Sequence, residues 1–235
     1  MTNYYPLTAA QKMHHNWIMD YGTQQVSGVS VVASVQAELD FGLLKKCIQM
    51  ETERSGCTRI RFTKPDKDGN VQQYLVKQDP RDIGFKDLSG MGSLAKADEL
   101  MQQWAYETFD GDDIPMCEFT MLKLPEGYNG FFVHMDHRLI DSCGLVVMIG
   151  DLFQLYIYYK YGTAYPQELA DFETVLKKTL QKQATRNVLQ KIRNSGMISW
   201  MHWANLCILI FRDRPYWRKQ ENVMEIQNFV LLTLR

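Results

Sequence analysis

The chain has 235 residues, a formal net charge of -1 at neutral pH and 46% hydrophobic content. A near-neutral charge leaves no basic footprint for a nucleic-acid backbone, and 12% aromatic residues are foreign to a disordered chain, so a globular protein with no nucleic-acid partner is expected. The length suffices for a full core in one large domain or two small ones.

Five cysteines (Cys47, Cys57, Cys117, Cys143 and Cys207) are odd in number and contain no C-x-x-C pair. They read as reduced thiols of a cytoplasmic protein. The opening Met-Thr-Asn-Tyr-Tyr-Pro-Leu has no basic segment leading into an apolar run, so no secretory signal is expected. The longest apolar tract, residues 197–211, is short for a membrane span and carries Ser199, His202 and Asn205.

In chain order, Thr8 offers an N-cap for a short helix over 8–19, and the valine- and serine-rich stretch 26–35 predicts a strand. Asp40 caps a helix to about Glu53, with Leu44, Cys47 and Ile48 at helical spacing. Residues 59–63 and 71–76 read as strands around the turn-rich stretch 64–70, a hairpin signal. A helix follows over 93–109, then strands over 117–124 and 130–136 joined by Pro125-Glu-Gly-Tyr-Asn129. Leu145, Met148, Ile149, Leu152 and Tyr156 mark an amphipathic helix ending near Gly162. Strands and helices mix without a regular repeat, which predicts an α+β (α/β layered) fold with a mixed β-sheet packed by helices.

The segment His134-Met-Asp-His-Arg-Leu-Ile-Asp-Ser-Cys-Gly144 lies at the boundary from strand to helix and places a histidine and an aspartate four apart. His137 is thus a candidate general base, because an imidazole titrates near working pH and can take a proton from an attacking amine or hydroxyl. The His14-His15 pair is not a metal site on this reading, since adjacent helical residues point apart; surface or packing roles are expected, and no metal site is expected elsewhere. Cys143 reads as a small buried residue rather than a nucleophile.

The order of these pieces resembles the chloramphenicol-acetyltransferase-like superfamily and, within it, the condensation domains of nonribosomal peptide synthetases. Leu7-Thr-Ala-Ala-Gln11 is similar to the first condensation motif, S-x-A-Q, with Thr8 for serine. Arg54-Ser-Gly-Cys-Thr-Arg-Ile-Arg-Phe62 resembles the second, R-H-E-x-L-R-T-x-F, without its H-E pair. Asp87-Leu-Ser-Gly90, then Phe109-Asp110 and Ile114-Pro-Met116, resemble the approach to the active loop, and residues 136–142 stand in the place of H-H-x-x-x-D-G.

The resemblance covers roughly residues 5–160 and implies an acyltransferase that moves an acyl group from a phosphopantetheine thioester on a carrier protein, or from acyl-CoA, to an amine or hydroxyl. No covalently bound cofactor is implied. His137 takes the position of the catalytic histidine. Asp141 matches the motif aspartate, which in the family pairs with the second arginine of the earlier block, here Arg59, as structural support. Asp136 departs from the family's first histidine and Ser142 from its glycine; with Gly144 they are candidate channel and loop residues. A negative charge at Asp136 is expected to favour the protonated form of the neighbouring imidazole.

Family members have two similar lobes. The resemblance therefore divides this chain into an N-terminal lobe at 1–162, a helical connector at 163–223 that includes a helix over 171–183, and the first strand of an otherwise missing C-terminal lobe at 224–235. An open channel face and an apolar strand would invite self-association or a second-lobe partner chain. The alternatives to turnover are a half-domain that binds a carrier protein or partner chain, and a truncated, silent remnant.

Overall fold

The computed structural model describes residues 2–109, 111–192 and 233–234. Its elements in chain order are β1 (Tyr5–Pro6), α1 (Ala9–Tyr21), β2 (Gly28–Val35), α2 (Phe41–Arg54), β3 (Ile60–Phe62), β4 (Gln72–Leu75), β5 (Gly84–Asp87), α3 (Leu94–Trp104), β6 (Cys117–Lys123), β7 (Asn129–Asp136), α4 (Ser142–Tyr161), α5 (Phe172–Ile192) and β8 (Thr233–Leu234).

The helices begin where the sequence supplies a cap. Thr8 and Gln11 form a reciprocal capping box on α1, while Asp40, Ser93 and Asp141 each accept a backbone N–H of the first turn of α2, α3 and α4. Gly22 and Gly162 end α1 and α4 in the left-handed region, with φ of 66° and 69°, where a side chain would be strained.

Five strands pair in the order β5-β6-β7-β2-β8, and a separate three-stranded sheet runs β1-β4-β3. At the centre, β7 pairs antiparallel with both β2 and β6. Alternation sends Phe131, Val133 and Met135 of β7 into the main core with Leu44 and Ile48 of α2 and Leu152 of α4. Phe132 faces the opposite way, into a smaller cluster with Ala97 and Met101 of α3. Both faces are covered, so β7 is buried along its whole length. Where β7 crosses β2, a Cβ on Gly130 would stand 1.9 Å from the carbonyl oxygen of Ala33, so only glycine fits.

The expected α+β layered class and both hairpins are present. Two strands, β1 and β5, went unforeseen: β1 has two residues, and the four of β5 are all exposed, so neither carries a periodic apolar signal. The helix expected to 109 stops at Trp104, because Phe109 leaves the axis to stack on the His134 ring at 4.8 Å. The helix expected over 171–183 runs further, over Phe172–Ile192. α4 is long and apolar enough to cross a membrane by composition, but Leu145, Met148, Ile149, Leu152 and Leu155 place one side of it in the core. Thr233 and Leu234, within the stretch expected as a strand over 224–235, pair with Val32 and Val31 of β2 at the edge of the five-stranded sheet. The aromatic tract of the expected connector, with Cys207, lies outside the described residues.

Where α2 meets α4, Arg54 donates to Asp151 from Nε at 2.9 Å and from a terminal nitrogen at 3.1 Å. Fully buried beside this pair, Glu51 accepts a hydrogen bond from Ser55 through Oε1, while its Oε2 has no hydrogen-bond partner and lies 3.7 Å from Arg54 Nε. Burial first, and the neighbouring Asp151 carboxylate second, push the Glu51 carboxyl up from 4.5 to about 9, so it stays protonated at neutral pH. Between pH 4.5 and about 9 the folded chain therefore holds a proton that the unfolded chain releases, and stability falls as pH rises through that window. Glu51→Gln keeps a donor without the titration. Its unfolding free energy should match wild type near pH 4.5 and exceed it by a growing margin toward pH 8.5 in urea titrations. A margin independent of pH would show that Glu51 is ionised in the fold.

Candidate active site

The loop after β7 is built as a tight turn. Asp136 N–H donates to the Met116 carbonyl at 2.9 Å, which ends the strand, and Leu139 N–H closes back on the Asp136 carbonyl at 2.9 Å. His137 is the first residue inside that turn. Its own N–H donates to the Ser27 carbonyl at 2.6 Å, so its backbone is fixed to the start of β2 while its side chain remains half-buried.

On either side of His137, Asp136 and Arg138 form a buried ion pair. Arg138 Nε meets Asp136 Oδ1 at 2.9 Å, a terminal nitrogen meets Oδ2 at 2.9 Å, and Arg138 N–H donates to Oδ1 at 2.8 Å. The residues are 2% and 7% exposed. The guanidinium also lies 4.5 Å above the Phe62 ring and reaches Met116 Sδ at 3.3 Å. The sequence leads one to expect Asp136 to act on His137 as an uncompensated negative charge; instead Arg138 neutralises it.

α1 supports the loop from below. Buried Gln11 donates to the Arg138 carbonyl at 3.1 Å and to Gln73 Oε1 at 2.8 Å, tying helix, loop and β4 together. One turn on, the His14 ring stacks on that of His137 with centroids 4.2 Å apart and planes 15° from parallel. His14 is buried, and its Nδ1 has no hydrogen-bond partner. Burial first, and the His137 imidazole second, push His14 down to about 4, so it is neutral at working pH. The first-motif resemblance marks Gln11 but not its role, and the expectation for His14 is no more than a surface or packing role. The spacing of Gln11 and His14, three apart on one helical face, is the signal that joins them.

The expected Arg59–Asp141 pair does not form. Asp141 is exposed and accepts the Gly144 N–H at 2.7 Å as the N-cap of α4. Arg59 donates to the Val76 and Lys77 carbonyls at 2.9 and 3.0 Å, and its buried Nε has no partner. The physical reason is that Asp141 meets an N-terminal backbone N–H of α4 at the surface, so no buried carboxylate remains for an arginine to neutralise. The second motif block touches the active loop through Phe62 beneath Arg138 instead. Asp141 thus caps the helix after the loop, and the hydrogen bonds of Arg59 go to Val76 and Lys77 instead.

Ser142 is exposed at the first position of α4. Gly144 is packed tightly, since a Cβ there would stand 2.8 Å from Ile140 Cγ1. The other histidine of the segment, His134, is closed off from the site. Its Nε2–H donates to the Glu107 carbonyl at 2.9 Å, so Nδ1 accepts from Ser30 Oγ at 2.7 Å, and burial lowers its basicity.

The two sheets packed by helices form an α+β fold of the chloramphenicol-acetyltransferase-like class. Solved structures share this fold. The chain aligns with the first condensation domain of the calcium-dependent antibiotic synthetase, in complex with a substrate analogue, at a TM-score of 0.67 and 17% identity, over 79% of this chain and 46% of that one. It aligns with a variant of the starter condensation domain of rhizomide synthetase RzmA, in complex with C8-CoA, at a TM-score of 0.71 and 16% identity, over 80% of this chain and 44% of that one. The condensation-domain family profile matches residues 1–192, and the chain belongs to that family. A linear gramicidin synthase polypeptide of Brevibacillus parabrevis is 26% identical over 186 residues, which are 75% of this chain and 2% of that polypeptide. The chain therefore spans less than half of the solved condensation domains it resembles.

Proposed function

We propose that this chain is the N-terminal lobe, over residues 1–162, of an acyltransferase of the condensation type. In this reading the donor is a thioester of phosphopantetheine on a carrier protein or of coenzyme A, and the acceptor is an amine or hydroxyl. As the acceptor attacks the thioester carbonyl, the His137 imidazole takes the N–H or O–H proton, the C–S bond breaks, and the thiolate leaves and is protonated. The observation that carries the reading is the half-exposed His137 side chain on a backbone fixed by Ser27, Gln11 and the Asp136–Arg138 pair. A base held this firmly forfeits little orientational freedom at the moment of transfer. Asp141 and Gly144 serve as the cap and close packing of the helix that follows, with Ser142 at its exposed edge. The free thiols of Cys47, Cys57 and Cys117 fit work in the reducing cytoplasm.

A thioester-release assay with a panel of acyl-CoA and acyl-carrier donors tests this, with the His137→Ala chain as control. Release from the wild-type chain that the control lacks supports the reading, and no release with any donor sinks it for this chain. The second reading is a half-domain that binds a carrier protein or a separate second-lobe chain without turnover. Carrier-protein binding in the absence of thioester release would select it.

A further inference from the structure

We infer that His14 is a positioning residue for His137, a neutral aromatic platform on α1 that fixes the orientation of the catalytic imidazole. The inference deepens the reading of His137 as the base and rests on it only for its kinetic arm.

The geometry is specific. The two rings lie nearly parallel, 15° apart, with centroids at 4.2 Å, and Trp17 meets the His14 ring edge-on at 4.9 Å. Thus His14 is wedged between its own helix and the loop, and its rotamer is not free. The helix bearing it is tied to the loop by the Gln11 bond to the Arg138 carbonyl, so platform and catalytic ring move together. An imidazole that accepts a proton becomes a cation, and a neutral ring face at this distance attracts a cation. A charged platform would repel it. The surroundings keep His14 uncharged: it is buried, its Nδ1 has no partner to stabilise a proton, and of the charged groups near it Arg138 opposes protonation while Asp136, already bonded to Arg138, favours it less than burial disfavours it. His15, next on the helix, is also shifted down by burial and adds no charge at neutral pH. A leucine in place of His14 would fill the space but present no flat face.

The test separates packing from positioning. Side-chain coupling constants of His137 in the isotope-labelled full chain should report one χ1 rotamer in wild type and in His14→Phe, and an average over rotamers in His14→Leu, with thermal unfolding confirming that each variant is folded. Should His14→Leu not fold, His14→Met takes its place. Where the chain turns over thioester, His14→Leu should lower kcat about tenfold with KM unchanged, and His14→Phe should recover most of the loss. A single His137 rotamer in folded His14→Leu overturns the inference whether or not the chain has turnover. Absence of turnover in wild type speaks only against the acyltransferase reading and leaves the coupling constants to decide.

Discussion

Asp136→Ala should lower the unfolding free energy of this chain by about 3–5 kcal/mol, against about 1 kcal/mol for Asp141→Ala, although the family resemblance places the structural carboxylate at Asp141. The contrast follows from what each carboxylate touches. Asp136 is 2% exposed and takes two side-chain hydrogen bonds and one backbone hydrogen bond from Arg138. Removing it leaves a guanidinium buried against the Phe62 ring and Met116 Sδ, neither of which can neutralise its charge. Asp141, at the surface, accepts one N–H of α4, and water can replace it. Arg138→Ala should destabilise in the same direction as Asp136→Ala, and the double variant should be more stable than the sum of the two losses implies, since it leaves no unpaired charge. Urea unfolding followed by circular dichroism measures all four chains. A loss below about 1 kcal/mol for Asp136→Ala would mean that the ion pair is exposed to water in solution.

This pair also shows where the sequence is legible and where it is not. Helices α1, α2 and α4 could be read from Thr8, Asp40 and Gly162, because caps and helical periodicity are local chemistry written within a few residues. Hairpins β3–β4 and β6–β7 could be read from the turn residues between them. The place of His137, in the turn between the central strand and α4, could be read because the motif fixes it relative to strand and helix. Partner choice is a different matter. Arg59 and Arg138 are both arginines within reach of an acidic loop in sequence terms, and only the packing of β3 against the turn decides which one faces a carboxylate. Asp136 ends β7 and Arg138 lies in the turn beyond it, so neither strand nor helix periodicity pairs them in the sequence. His14 was obscured because its contact with His137 joins positions far apart in the chain, and no local periodicity records it.

The ion pair bears directly on the chemistry. With Arg138 holding Asp136, the turn that carries His137 is closed by its own flanking residues rather than by an arginine from the earlier motif block. The departure at Asp136 therefore replaces one means of fixing the loop with another and leaves the imidazole in place. Gln11 below and Ser27 beside it act on backbone atoms, so they hold position 137 whatever its side chain.

For that reason His137→Ala should keep the fold and lose the reaction. Its backbone N–H to Ser27 survives the substitution, and the side chain removed is half-buried and stacked on one neighbour, so thermal unfolding should stay within about 1 kcal/mol of wild type. Thioester aminolysis or alcoholysis should fall by about 10²–10⁴, the usual contribution of a positioned base, equivalent to about 3–5 kcal/mol in the barrier. Chemical rescue separates the two roles the histidine can play. As a base, His137 is replaced in part by added imidazole, which restores some of the variant's rate. As a group that only orients the acceptor, it is not replaced by free imidazole, which then restores nothing. A fall of less than about tenfold, with no rescue by imidazole, would remove His137 from the proton transfer and leave the lobe as the binding half of a site completed elsewhere.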